Sequence, residues 1–240
     1  MNDAQRSDAE LAKTIYNRYE STKNKMAHAA KKVGRDISQI QLIAASKVQN
    51  PESLRELIDA GHTVFGENRF QEGRAKIPLL PSLCVWHFIG GLQRNKVKDI
   101  VKLFEWIHSV DSQLLLDEVD KRAATIGKIQ KILLEVNIAD EASKHGASPY
   151  EVKNLVIHAN QLANVEVNGL MTVAPFYDDL EEVRPFFKQL ADLKKEVELE
   201  TGSILPHLSM GMTHDFEIAI EEGATMVRVG TGLFGPRRAK

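Results

Sequence analysis

The sequence alternates eight short apolar runs with turns and stretches of helical periodicity. The runs fall at 42–47, 63–66, 85–89, 106–110, 131–138, 165–173, 205–209 and 225–229. Helical stretches follow at 51–60, 67–76, about 94–102, 112–126, from Ser148, 180–200 and 213–222. Short connections between such units require parallel strands. An open doubly wound sheet and a closed barrel both fit the alternation. Eight units in 240 residues favour closure, because a barrel has no edge strands. The expected fold class is therefore α/β, a single (β/α)8 TIM-like barrel. An extra N-terminal helix precedes it, with Leu11, Ile15, Met26 and Ala30 as its apolar stripe and Gly34 as its stop. Residues 1–240 read as one domain, with the helix within 1–34 and the barrel over 40–235.

Bulk properties narrow the class of partner. Apolar residues make up 43% and charged residues 27% of the chain, as in ordinary globular proteins. A formal charge of -2 gives no general attraction to nucleic acid or to an anionic membrane, so any anion site is local. No apolar run approaches the roughly 18 residues of a membrane span, and the charged N-terminus has no secretory h-region. The single cysteine, Cys84, has no partner for an internal disulfide. A cytoplasmic protein is expected.

The run Leu42-Ile43-Ala44-Ala45-Ser46-Lys47 ends on a lysine, and Asn50-Pro51 follows as a helix start. If the strand runs to its end, Ile43, Ala45 and Lys47 share one face. Lys47 either points its ammonium into water or presents an amine where α/β folds place their chemistry.

Gly230-Thr231-Gly232-Leu233-Phe234-Gly235 spells GxGxxG after a strand, but no βαβ unit or acidic residue follows, so it is not a dinucleotide fingerprint. In barrels, the loops after strands seven and eight often bind phosphate. Here they offer Ser209-Met210-Gly211-Met212-Thr213 and Gly230-Thr231-Gly232, either as an anion cradle or as plain tight turns. Arg228 lies inside an apolar strand, where burial demands a partner: a glutamate such as Glu135, or a ligand. His87 sits within strand three, and no histidine spacing suggests a metal. The basic residues at 94–102 read as a solvated helix face.

A strand-end lysine, a phosphate cup and a buried arginine together suggest pyridoxal 5′-phosphate. The chain resembles the YggS/PROSC-type pyridoxal phosphate homeostasis proteins, whose fold is similar to the N-terminal barrel of alanine racemase. The matching segments include Ala44–Lys47, Phe65–Asn68 with Gln71-Glu72, and Trp86–Gly90 with Leu92-Gln93 and Asn95-Lys96. Others are Gly169–Met171, Leu208–Met212, Val227–Thr231 and Phe234-Gly235. Departures fall at the rim: Val48 where threonine is usual, Gly91 where proline is usual, and Arg69-Phe70.

The resemblance implies that Lys47 carries the cofactor as an internal aldimine. It also implies that Ser209, Gly230 and Thr231, with backbone near Met210, hold the phosphate, that Arg228 faces the pyridine nitrogen, and that Asn68 lies near the ring. An arginine opposite that nitrogen makes the ring a weaker electron sink than an aspartate does. A racemase also needs an acid/base on the substrate's other face, which racemase-like enzymes take from a second domain and a partner subunit. A carrier or buffer of the cofactor is therefore expected, acting as a monomer and serving pyridoxal phosphate-dependent apoenzymes. The alternatives are a weakly racemase-like enzyme of amino acid metabolism and an aldolase-type barrel whose lysine attacks a sugar phosphate.

Overall fold

Eight parallel strands pair in sequence order, and the last returns to the first to close the barrel. They are β1 (Gln41–Ala45), β2 (Val64–Glu67), β3 (Val85–Phe88), β4 (Trp106–Val110), β5 (Gln130–Glu135), β6 (Val165–Met171), β7 (His207–Met212) and β8 (Met226–Val229). The computed structural model describes residues 3–141 and 145–236, with side chains from residue 15 onward. The expected (β/α)8 barrel is the observed one.

The helices are α1 (Asp3–Lys32), α2 (Pro51–Asp59), α3 (Phe70–Lys76), α4 (Val97–Leu103), α5 (Gln113–Ala124), α6 (Pro149–Ala159), α7 (Arg184–Thr201), α8 (Phe216–Glu221) and α9 (Thr231–Phe234). Local chemistry sets several starts. The Asn50 side chain accepts the Ser53 amide at 2.9 Å, with Pro51 as the first residue of α2. Glu151 accepts the Ser148 amide at 2.9 Å, fixing the start of α6. The N-terminal α1 packs on α2, α8 and α9 through Ile15, Tyr19, Met26, Ala29 and Ala30. It thus covers the flank where α8 and α9 are too short to do so; the Leu11 side chain lies outside the described residues.

Alternate strand residues face opposite ways, giving two apolar layers. Outward residues such as Ala44, Phe65, Phe88, Ile107, Leu134 and Met210 join the helices in the main core. Inward, Ile43, Leu133, Met171 and Met226 form a separate cluster inside the barrel.

Three expected boundaries are corrected. β1 stops at Ala45, so Lys47 lies in a turn beyond the strand and does not continue its parity. Glu67 belongs to β2 and is fully buried there, and α3 begins only at Phe70. β7 begins at His207, because Pro206 has no N–H for the ladder, and it runs on to Met212. Ser209 and Met210 are thereby strand residues and not part of the loop after it.

Candidate functional site

A cavity of about 390 Å³ opens at the C-terminal ends of the strands, the face on which barrels of this kind place their chemistry. Lys47, Asn68, Arg228, Gly230 and Thr231 all line it. Ser209 and Met210 do not. Ser209 is buried one level deeper, while the Met210 side chain points outward into the main core.

Lys47 sits in a tight turn closed by a hydrogen bond from the Gln49 amide to the Ser46 carbonyl at 3.0 Å. Val48, third in the turn, has φ of 67°, in the left-handed region. A β-branched residue there costs about 1–3 kcal/mol, so its surroundings must hold it. They do so on both sides of the lysine. Glu72 Oε2 accepts the Val48 amide at 2.7 Å. Lys76 Nζ donates to the Ser46 carbonyl at 2.7 Å and pairs with Glu67, which also accepts the Ser46 hydroxyl at 2.7 Å. Burial pushes the Glu67 carboxyl above the usual carboxylate range, and its bonds from Lys76 and Ser46 oppose that shift. Lys47 itself makes no ion pair or side-chain hydrogen bond among the described residues, which leaves its amine to the cavity.

Arg228 forms part of the cavity floor. It is 5% exposed and donates to the Ser209 carbonyl at 2.8 Å, the Ser209 hydroxyl at 2.6 Å and the Thr172 carbonyl at 2.7 Å. Those bonds use three of its five donors. Burial pushes the guanidinium down to about 10, against the fields of Glu135 and Asp215, so it stays charged at neutral pH. The anticipated salt bridge to Glu135 is absent among the described residues; that carboxylate acts through its field alone.

Ser209 Oγ lies 3.0 Å from His108 Nδ1, and His108 Nε2 lies 2.8 Å from His87 Nδ1. β4 and β7 are not neighbours in the sheet, so this chain of bonds crosses the barrel interior. Burial depresses both imidazoles, His87 to about 3, so the chain is uncharged at neutral pH except at Arg228. Arg228 is thus held from behind by neutral groups.

The loops after β7 and β8 meet at Thr213. Its hydroxyl oxygen accepts from the Gly230 and Gly232 amides at 3.2 Å each. A Cβ on Gly232 would stand 2.8 Å from Val229 Cγ1 and 3.1 Å from Thr213 Cγ2, so glycine permits this approach. Gly90 does the same for Asn68, whose carbonyl oxygen would be 2.1 Å from an added Cβ.

The residues present fit a phosphorylated aldehyde. An amine unpaired among the described residues, a buried cation and a loop of threonine hydroxyls share one cavity of small-molecule size. No group of three metal-ligating side chains occurs among the described residues.

Some wall and support residues escaped the sequence reading. His214, stacked on Phe176 with centroids 5.0 Å apart, lines the cavity and carried no motif. Lys76 could not be singled out, since a lysine in the last turn of a helix usually points into water. Here it is 6% exposed.

A family model described as alanine racemase, N-terminal domain, matches residues 23–238. The pyridoxal phosphate homeostasis protein of Aquifex aeolicus is 47% identical over 88% of this chain and 92% of its own. Its counterpart in Escherichia coli K12 is 37% identical over 90% of this chain and 93% of its own. PipY of Synechococcus elongatus, solved with pyridoxal phosphate bound, superposes with a TM-score of 0.81. It has 35% identity over 92% of this chain and all of its own. This chain therefore belongs to the alanine racemase N-terminal domain family and, within it, to the pyridoxal phosphate homeostasis proteins.

Proposed function

We propose that this protein binds pyridoxal 5′-phosphate at the β-strand C-terminal cavity and serves as its intracellular carrier or buffer. The observation that carries the reading is the shared cavity of Lys47, Arg228 and the Gly230-Thr231 loop. The cofactor-bound structure of PipY, a relative of the same fold, supports it. When bound, pyridoxal phosphate supplies an aldehyde open to attack by a primary amine and a ring that withdraws electrons.

Lys47 supplies that amine. Thr213 and Thr231 would offer hydroxyls to the phosphate, with Gly230 bringing the backbone close, in the loops where barrels bind it. Arg228 places a fixed positive charge in the floor, which would keep a ring nitrogen held beside it unprotonated and weaken the electron sink. Ser209 serves through Arg228, by anchoring it. Asn68 lines the cavity where it would flank the ring, while the Met210 side chain packs outward from β7 into the main core. Carriage, more than turnover, suits these groups. A cytoplasmic monomer that passes the cofactor to dependent apoenzymes completes the proposal; the lone, buried Cys84 suits a reducing compartment.

The test loads the protein with pyridoxal phosphate, removes excess, and adds an apoenzyme that requires it. Recovery of apoenzyme activity, with no turnover of free amino acids by the loaded protein, is expected. Robust, Lys47-dependent turnover of an amino acid would replace the carrier with an enzyme.

A further inference from the structure

The strained turn at Lys47 is held by a part of the chain that does not touch the cavity. Val48 stands at φ 67° although it is β-branched, and it is more than half exposed, so packing does not force it there. What holds it is a hydrogen bond to Glu72 Oε2 across 24 residues of sequence. Glu72 is itself steadied by Lys76 at 3.5 Å, one helical turn along α3. The same Lys76 grips the carbonyl of Ser46, so the two α3 side chains hold the turn on both sides of Lys47.

We propose that Glu72, braced by Lys76, is a positioning residue for Lys47: it keeps Val48 left-handed and thereby aims the amine into the cavity. This rests on the cofactor reading above. Without the Glu72 acceptor, Val48 relaxes to negative φ, the turn opens and the amine leaves its station. A residue indifferent to the sign of φ at position 48 has no need of the anchor.

The test follows pyridoxal phosphate uptake in the full-length protein by visible absorbance, with amide hydrogen exchange at Val48 as a second readout. Glu72→Ala is expected to slow and weaken uptake on the order of tenfold and to speed Val48 exchange. Glu72→Gln, which keeps an acceptor oxygen, remains near wild type. Val48→Gly, added to Glu72→Ala, restores uptake, because glycine adopts positive φ freely. Wild-type uptake by Glu72→Ala, or no rescue by Val48→Gly, overturns the proposal. A wild type that takes up no pyridoxal phosphate instead overturns the cofactor reading. The anchoring role is then decided by Val48 exchange, and unchanged exchange in Glu72→Ala ends it.

Discussion

Arg228 binds Ser209 twice, through the carbonyl at 2.8 Å and the hydroxyl at 2.6 Å, and so ties β8 to β7 beneath the cavity. The bonds occupy three donors of a guanidinium that forms no ion pair among the described residues. They also leave the carbonyls of Ser209 and Thr172 dependent on it. Arg228→Met fills similar volume but strands those buried acceptors, at about 2–4 kcal/mol in sum. Urea denaturation should show that loss, and an unchanged midpoint would mean that water replaces the arginine.

The Lys76–Glu67 pair is almost wholly buried, at 6% and 0% exposure. Lys76→Met leaves Glu67 as an uncompensated buried carboxylate and should destabilise the fold by about 3–5 kcal/mol. Replacing both, as Lys76→Met with Glu67→Leu, should recover most of that stability, since two buried charges need each other more than the fold needs them. The double variant would still lose the grip on Ser46. Stability and cofactor uptake therefore part company in it, as calorimetry and absorbance would show.

Acid should weaken the fold through its buried histidines. His87 is held down to about 3 and His62 to about 4, against an ordinary 6.5. Both folded-state values are depressed, so the stability they carry is complete above pH 6.5 and is lost as pH falls towards 4 and then 3. The unfolded chain takes up the protons first, at about 1.4 kcal/mol per group and pH unit. By NMR, the His87 ring should show no titration between pH 8 and 5. A midpoint near its ordinary value would contradict its place in the His108–Ser209 chain.

The phosphate cup should discriminate between pyridoxal phosphate and pyridoxal. A hydrogen bond to a charged group is worth about 1.5–3 kcal/mol, so Thr231→Ala should cut that preference by roughly tenfold or more. Affinity for pyridoxal itself should barely change. Equal losses for both ligands would place Thr231 elsewhere in the site.

What the sequence reveals and what it hides divide along physical lines. The strands and the Asn50-Pro51 and Ser148–Glu151 helix starts are local, and local patterning suffices to read them. Lys47, Arg228 and the Gly230 loop are legible because each interrupts or follows directly on an apolar run. The bond between His108 and Ser209 spans 101 residues and exists only once the barrel closes. The turn at Lys47 is equally opaque: a valine gives no hint of positive φ, which Glu72 imposes from another element. The apolar pattern starts strand seven two residues before His207, where Pro206 outweighs it.

The most direct test of the account is borohydride reduction of the protein after incubation with pyridoxal phosphate, followed by peptide mapping of wild type and Lys47→Ala. The account predicts a yellow wild type, a single stable modification on Lys47, and a variant that stays colourless and unmodified. A colourless wild type, or a modification that maps to another lysine, would contradict it.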